Sequence, residues 1–125
     1  MVEVWGNVNH NWQVHTGAFI TAENDEAVNV KVVTNIKAVN GWDYIGIKGG
    51  GGAYVDGGGH EQSWSGNIPV NGEATIVEYQ KDYIRKTHEA RTINYSGYVN
   101  IVGYAAGSST CSGSFTINAK THHTI

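Results

Sequence analysis

Six histidines are the first residues in this 125-residue chain that could do chemistry. A structural or catalytic zinc site needs ligands at paired spacings that bring them to one face. His10 and His15 lie five apart around Trp12. On a strand, that odd spacing puts them on opposite faces. His60 sits in a glycine-rich stretch, His88 between two strands, and His122-His123 near the C-terminal end. None has the spacing of a metal site, so no metal is expected. Cys111 alternates with small polar residues and shares a face with Phe115 and Ile117. It reads as a small buried hydrophobe, and a lone cysteine cannot form an internal disulfide. The strained Gly-x-Ser-x-Gly elbow of the hydrolases is missing, and no helix follows Trp64-Ser65-Gly66. Asp25 and Glu26 are turn residues, while Asp43, Asp56, Glu61, Glu78 and Asp82 are scattered. Nothing places two carboxylates at the separation that glycoside hydrolysis requires, or close enough for a calcium loop. Gly49–Gly52 follows Lys48 with no helix after it, so it lacks the context of a phosphate loop and reads as flexible. No catalytic residue and no cofactor is expected, and the chain reads as no enzyme.

Binding residues are easier to nominate. Lys81 to Arg91 is the one concentrated basic stretch, offset by Asp82 and Glu89. Within it, Arg85, His88 and Arg91 could meet an acidic glycan or a neighbouring subunit. Aromatics offer a second chemistry, because pyranose C–H faces stack on flat rings. Trp42 follows the Asn40-Gly41 turn, and Tyr54 lies between two glycine runs. Tyr98 and Tyr104 fall on the polar-facing register of their strand. The competing role for all four is filling a core or its rim, with the polar atom near the edge. A net charge of −3 and a pI near 6.0 disfavour nucleic acid, which needs clustered Lys and Arg. No apolar run approaches the ~18 residues of a membrane span.

The elements that must position these residues are strands. The chain has no Leu, one Met, 14 Val and 11 Ile. β-Branched residues suit a pleated surface, whereas Leu and Met fill helices. Gly is 17 of 125, and charged residues are 15% against a usual ~25%. Val28, Val30, Val32, Thr34, Ile36 and Ala38 alternate with Asn29, Lys31, Asn35 and Lys37. Ile93, Tyr95, Gly97, Val99, Ile101 and Gly103 repeat the pattern, as do Cys111, Gly113, Phe115, Ile117 and Ala119. This two-residue period predicts half-buried strands. Shorter strands are expected at Val2–Val8, Trp12–Ala22, Trp42–Lys48, Gln62–Gly66 and Thr75–Arg85. Asn40-Gly41 and Asn71-Gly72 predict turns. The segment between Gly49 and Gly59 is expected to be a mobile hairpin or an irregular edge. Eight or nine antiparallel strands and no helix predict an all-β sandwich, a single domain over 1–120 with a C-terminal tail at 121–125.

Several short motifs carry a resemblance. Val4-Trp5-Gly6-Asn7-Val8, Gln62-Ser63-Trp64-Ser65-Gly66, and Tyr83 to His88 followed by Ala90-Arg91-Thr92-Ile93 resemble parts of Ig-like or fibronectin-III-like modules. These are modules of siphovirus tail and minor structural proteins, with relatives in Gram-positive surface proteins. The ending Gly113 to Thr121 is similar to the close of those modules, with Asn118 in place of a proline and His122-His123 in place of Ser-Tyr. The resemblance covers most of the chain in order, apart from Gly49–Gly59. It implies a noncatalytic structural or adhesion module of a phage tail, located in the virion or on an extracellular surface. Its partners would be neighbouring tail domains or a host cell-wall glycan, and the charge balance neither requires nor forbids a homo-oligomer. A carbohydrate-binding module using exposed aromatics is the alternative. The expected contact surface joins Gly49–Gly59, Trp42, Tyr54 and Arg85–Arg91.

Overall fold

A computed structural model describes residues 1–120. Eight strands run in chain order: β1 (Val2–Trp5), β2 (Trp12–Glu23), β3 (Ala27–Ala38), β4 (Tyr44–Val55), β5 (Gly58–Ile68), β6 (Glu73–Ile84), β7 (Arg91–Val102) and β8 (Gly107–Ile117). They form two four-stranded sheets, ordered β1-β2-β3-β6 and β5-β4-β7-β8, and every pairing is antiparallel. The fold is an all-β antiparallel sandwich. The chain changes sheet after β3, β5 and β6.

Period-two alternation produces the core. On β3, Val28, Val30, Val32, Thr34, Ile36 and Ala38 are all buried, and on β7 so are Ile93, Tyr95, Gly97, Val99 and Ile101. These two inner rows face each other across the interior, with Trp12 and Val14 of β2 beside them. Gly103 falls beyond the strand, in an exposed turn at φ +70°. On the edge strand β8, Phe115 points inward onto Tyr95 but is only partly buried, because one of its flanks has no neighbouring strand.

One expectation is overturned. Gly49–Gly52 is neither a loop nor an edge: it is the middle of β4, paired to β5 on one side and β7 on the other. The close approach of neighbouring backbones is why these positions are glycine. A Cβ at Gly49 would lie 2.0 Å from the Asn100 carbonyl oxygen, and one at Gly51 would lie 2.5 Å from that of Tyr98. Both obstacles are backbone atoms that cannot step aside. The tight turn at Asp56-Gly57, with φ of 47° and 81°, then returns the chain into β5. Positive φ at both central residues gives a two-residue loop the twist of its flanking strands. The N-terminal strand ends at Trp5 rather than Val8, and β5 is longer than expected at both ends. The tail at 121–125, with His122-His123, lies outside the described residues.

Strand direction sorts the connections into two ends. Segments 6–11, 39–43, 69–72 and 103–106 gather at one end, and 24–26, 56–57 and 85–90 at the other. A 12-residue strand spans roughly 37 Å, which separates the two ends.

Candidate functional site

The outward face of β5-β4-β7-β8 follows from its register. Gly50 lies opposite Ser63 on β5 and Asn100 on β7, and Asn100 lies opposite Ser108 on β8. The next row reads Glu61, Gly52, Tyr98, Thr110. Beyond Gly50 in the other direction come Ser65, Lys48 and Val102. The outward positions of the inner strand β4 at 50 and 52 therefore carry no side chain, while those of its neighbours do. The result is an open groove of about 1030 Å³ with a glycine floor, lined by Lys48, Glu61, Ser63, Tyr98, Asn100 and Ser108 among others.

Two rings close one end of this groove. Tyr54 and Tyr98 stack at 6.2 Å and 17°. Both reach over Gly52, where an added Cβ would lie 2.6 Å from either ring. The Tyr54 hydroxyl donates to Glu61 Oε1. Burial, then that hydrogen bond and the carboxylate charge, push the Tyr54 phenol well above its usual value. It is therefore a neutral, oriented donor rather than a nucleophile or base. Toward the middle, Ser108 Oγ donates to Asn100 Oδ1 over 2.8 Å, and Asn9 Nδ2 donates to the Ser108 carbonyl. These bonds fix the Asn100 amide.

Below the floor, the sheets are linked by a buried polar seam. Thr34 Oγ1 donates to the Gly52 carbonyl over 2.9 Å and lies 3.0 Å from Thr16 Oγ1. Gly97 makes room, since a Cβ there would fall 2.0 Å from Thr16 Oγ1. Nearby, burial first of all raises the Cys111 thiol, which is an unpromising setting for a nucleophile.

The nominated residues do not form one surface. Tyr54 and Tyr98 meet at the groove. Trp42 and Tyr104 sit at the loop end, on either side of Tyr44, at 46% and 67% exposure. Trp42 is held there by backbone bonds to Val39 and Asn71. The Tyr44 hydroxyl beneath is buried, with no hydrogen-bond partner among the described residues. Arg85, His88 and Arg91 lie at the opposite end, so the expected single contact surface cannot form. Arg85 is engaged by Glu23 at 2.5 Å and by the carbonyls of Asn24 and Asn118. Arg91 covers the Tyr83 ring and lies 3.9 Å from Asp56. Burial and the Asp56 hydrogen bond raise the Tyr83 phenol. Lys86 pairs with Glu89. The Lys86–Glu89 pair stays within one connection, whereas the Arg85 and Arg91 contacts tie that end's segments to one another.

The groove residues that sequence reasoning missed are Lys48, Ser63, Asn100 and Ser108. Their signal was the outward row of small polar residues on β8, Ser108, Thr110, Ser112, Ser114 and Thr116, one strand away from the glycines of β4.

On the outer face of the other sheet, His15 stacks on Trp5 at 3.7 Å and 1°. Its ring nitrogens lie 2.8 Å from Glu3 and 3.0 Å from Glu73. Asn35 also donates to Glu73. Burial opposes ionisation of Glu73, but the bonds from His15 and Asn35 outweigh it, and its carboxyl is held below its ordinary value. Among the described residues, no three His, Cys, Asp or Glu side chains gather to hold a metal ion. No family model, curated protein or solved structure matches the chain.

Proposed function

We propose that this chain is a noncatalytic adhesion module that grips a surface glycan through the outer face of β5-β4-β7-β8. The observation that carries this reading is the groove over Gly50, walled by Tyr98, Asn100 and Ser63 and closed at Gly52 by the tyrosine rings. A rigid sheet holds the wall residues in place, and the Tyr54–Tyr98 pair offers rings at one end of it. Sugar hydroxyls would meet the serine, threonine and asparagine side chains, and a sugar face would meet the rings. No acid, base and nucleophile stand together there, so binding rather than turnover is the chemistry offered.

The setting we propose is a phage tail or tail-associated protein, which touches neighbouring tail domains or the host wall. Its support is the run of short motifs at Val4–Val8, Gln62–Gly66, Tyr83–Ile93 and Gly113–Thr121. The pairing of β5 with β4 rather than β6 departs from the constant-type immunoglobulin arrangement and supports the fibronectin-III-like form. A purely architectural role is the second reading. It is favoured by the loop end, where Trp42, Ile45, Val70 and Tyr104 are exposed together as an apolar surface for a neighbouring domain.

A glycan array that includes bacterial cell-wall polysaccharides separates the two. Saturable binding lost in Tyr98→Ala and kept in Trp42→Ala is the expected result. Loss in Trp42→Ala alone would move the site to the loop end. Absence of binding at high protein concentration would leave the architectural role.

A further inference from the structure

We infer that the groove takes an uncharged, unbranched glycan laid along the glycine floor, with Tyr98 as its stacking platform and Asn100 as its main hydrogen-bond donor. This rests on reading the groove as a glycan site and adds the class of glycan.

The charge inventory carries the first part. Lys48 and Glu61 are the charged residues of the groove, one of each sign. Glu61 already accepts the Tyr54 hydroxyl. An acidic chain of uronates or phosphates would bring repeated anions onto a surface with one cation, and a desolvated charge without a partner is costly. The basic residues Arg85, Lys86 and Arg91 stand at the far end of the sandwich, engaged by Glu23, Glu89 and Asp56. What the groove offers is neutral: the hydroxyls of Ser63, Ser65, Ser108 and Thr110 and the amide of Asn100.

The register carries the second part. The outward side chains of β5 and β7 stand two strand spacings apart, roughly 10 Å, with β4 between them. That width suits one sugar chain lying flat and excludes a branch at the floor. From Tyr98 to Val102 the groove runs four residues, about 13 Å. This is room for a short run of sugar rings.

Asn100 is the residue best placed to read hydroxyls. It stands beside Gly50, where no side chain shields it. Its carbonyl oxygen accepts from Ser108, so the amide nitrogen carries the donors left for a ligand.

The test is calorimetric titration of the whole chain with linear hexasaccharides. Cellohexaose, xylohexaose and mannohexaose are the neutral probes, and hexagalacturonate is the acidic one, each at low and high salt. At least one neutral probe should bind, with an affinity that salt leaves unchanged. Binding should weaken roughly tenfold in Tyr98→Ala and about fivefold in Asn100→Ala. Both side chains point outward, and unchanged melting of each variant verifies the fold. If Tyr98→Ala misfolds, Asn100→Ala carries the test. Preference for hexagalacturonate would overturn the neutral class and leave the glycan groove standing. Binding unaffected by either substitution would overturn both, as would failure of all four probes to bind.

Discussion

Thr34 is a polar residue at the centre of an apolar interior, and its hydroxyl is the direct link between the two sheets at the groove. It satisfies the Gly52 carbonyl and faces Thr16 Oγ1. Valine has nearly the same shape but leaves both oxygens without that partner. Thr34→Val should lower stability by about 1–3 kcal/mol, the cost of stranding buried polar groups, measured by urea denaturation. A neutral result would mean that the seam has no energetic role. Glu73 makes a second argument at this scale. Its folded carboxyl is held below the ordinary value of about 4.3 by His15 and Asn35. Its stabilising contribution is therefore present above the unfolded value and lost as pH falls through the folded one. Glu73→Gln should be less stable than wild type at neutral pH. The gap should close as the solution is acidified below about pH 4. A gap that stays constant with pH would sink this assignment.

At the scale of elements, β3 and β7 were legible because valine, isoleucine and tyrosine alternate there with polar residues. β4 was not. Glycine has no polarity to alternate, so Gly49–Gly52 broke the period where the strand is most enclosed. The hairpin expected between Gly49 and Gly59 is there, turning at Asp56-Gly57 where the second glycine run begins, but its arms are long paired strands. The site suffered the same way. Tyr54 and Tyr98 were visible as aromatics, whereas Ser63, Asn100 and Ser108 gained meaning only once β4 lay between β5 and β7. A flexible loop would tolerate loss of one glycine, but a paired strand does not. Deleting Gly50 shifts one half of β4 by a residue and turns either Ile47 or Ala53 and Val55 outward. The variant should lose its cooperative melting transition. Phe115→Ala on the edge strand should cost about 2 kcal/mol, below the 3–5 of a fully buried phenylalanine. A melting curve as sharp as wild type after the deletion would show that β4 can slip.

The whole molecule is divided lengthwise in chemistry. One end exposes Trp42, Ile45, Val70 and Tyr104; the other is bound together by Arg85, Arg91 and Lys120 with their carboxylates. Between them, strands distant in sequence must find one another before any core exists. The partners of the β3–β6 pair, for example, are separated in the chain by β4 and β5, which belong to the other sheet. Such non-local pairing makes folding slow, so refolding should take milliseconds to seconds in stopped-flow fluorescence, with the four tryptophans as reporters. Microsecond refolding would mean that local contacts dominate after all.

The bare stretch of β4 has one more consequence. A side chain that meets a ligand surrenders rotamers, and long ones lose up to about 2 kcal/mol each. Gly50 has none to surrender, and its backbone is already held by strands on both sides. On the proposed reading, a glycan settling there would find no side chain on the floor to immobilise, only those of the walls. The disorder that most surfaces must give up at binding was removed here when the protein folded.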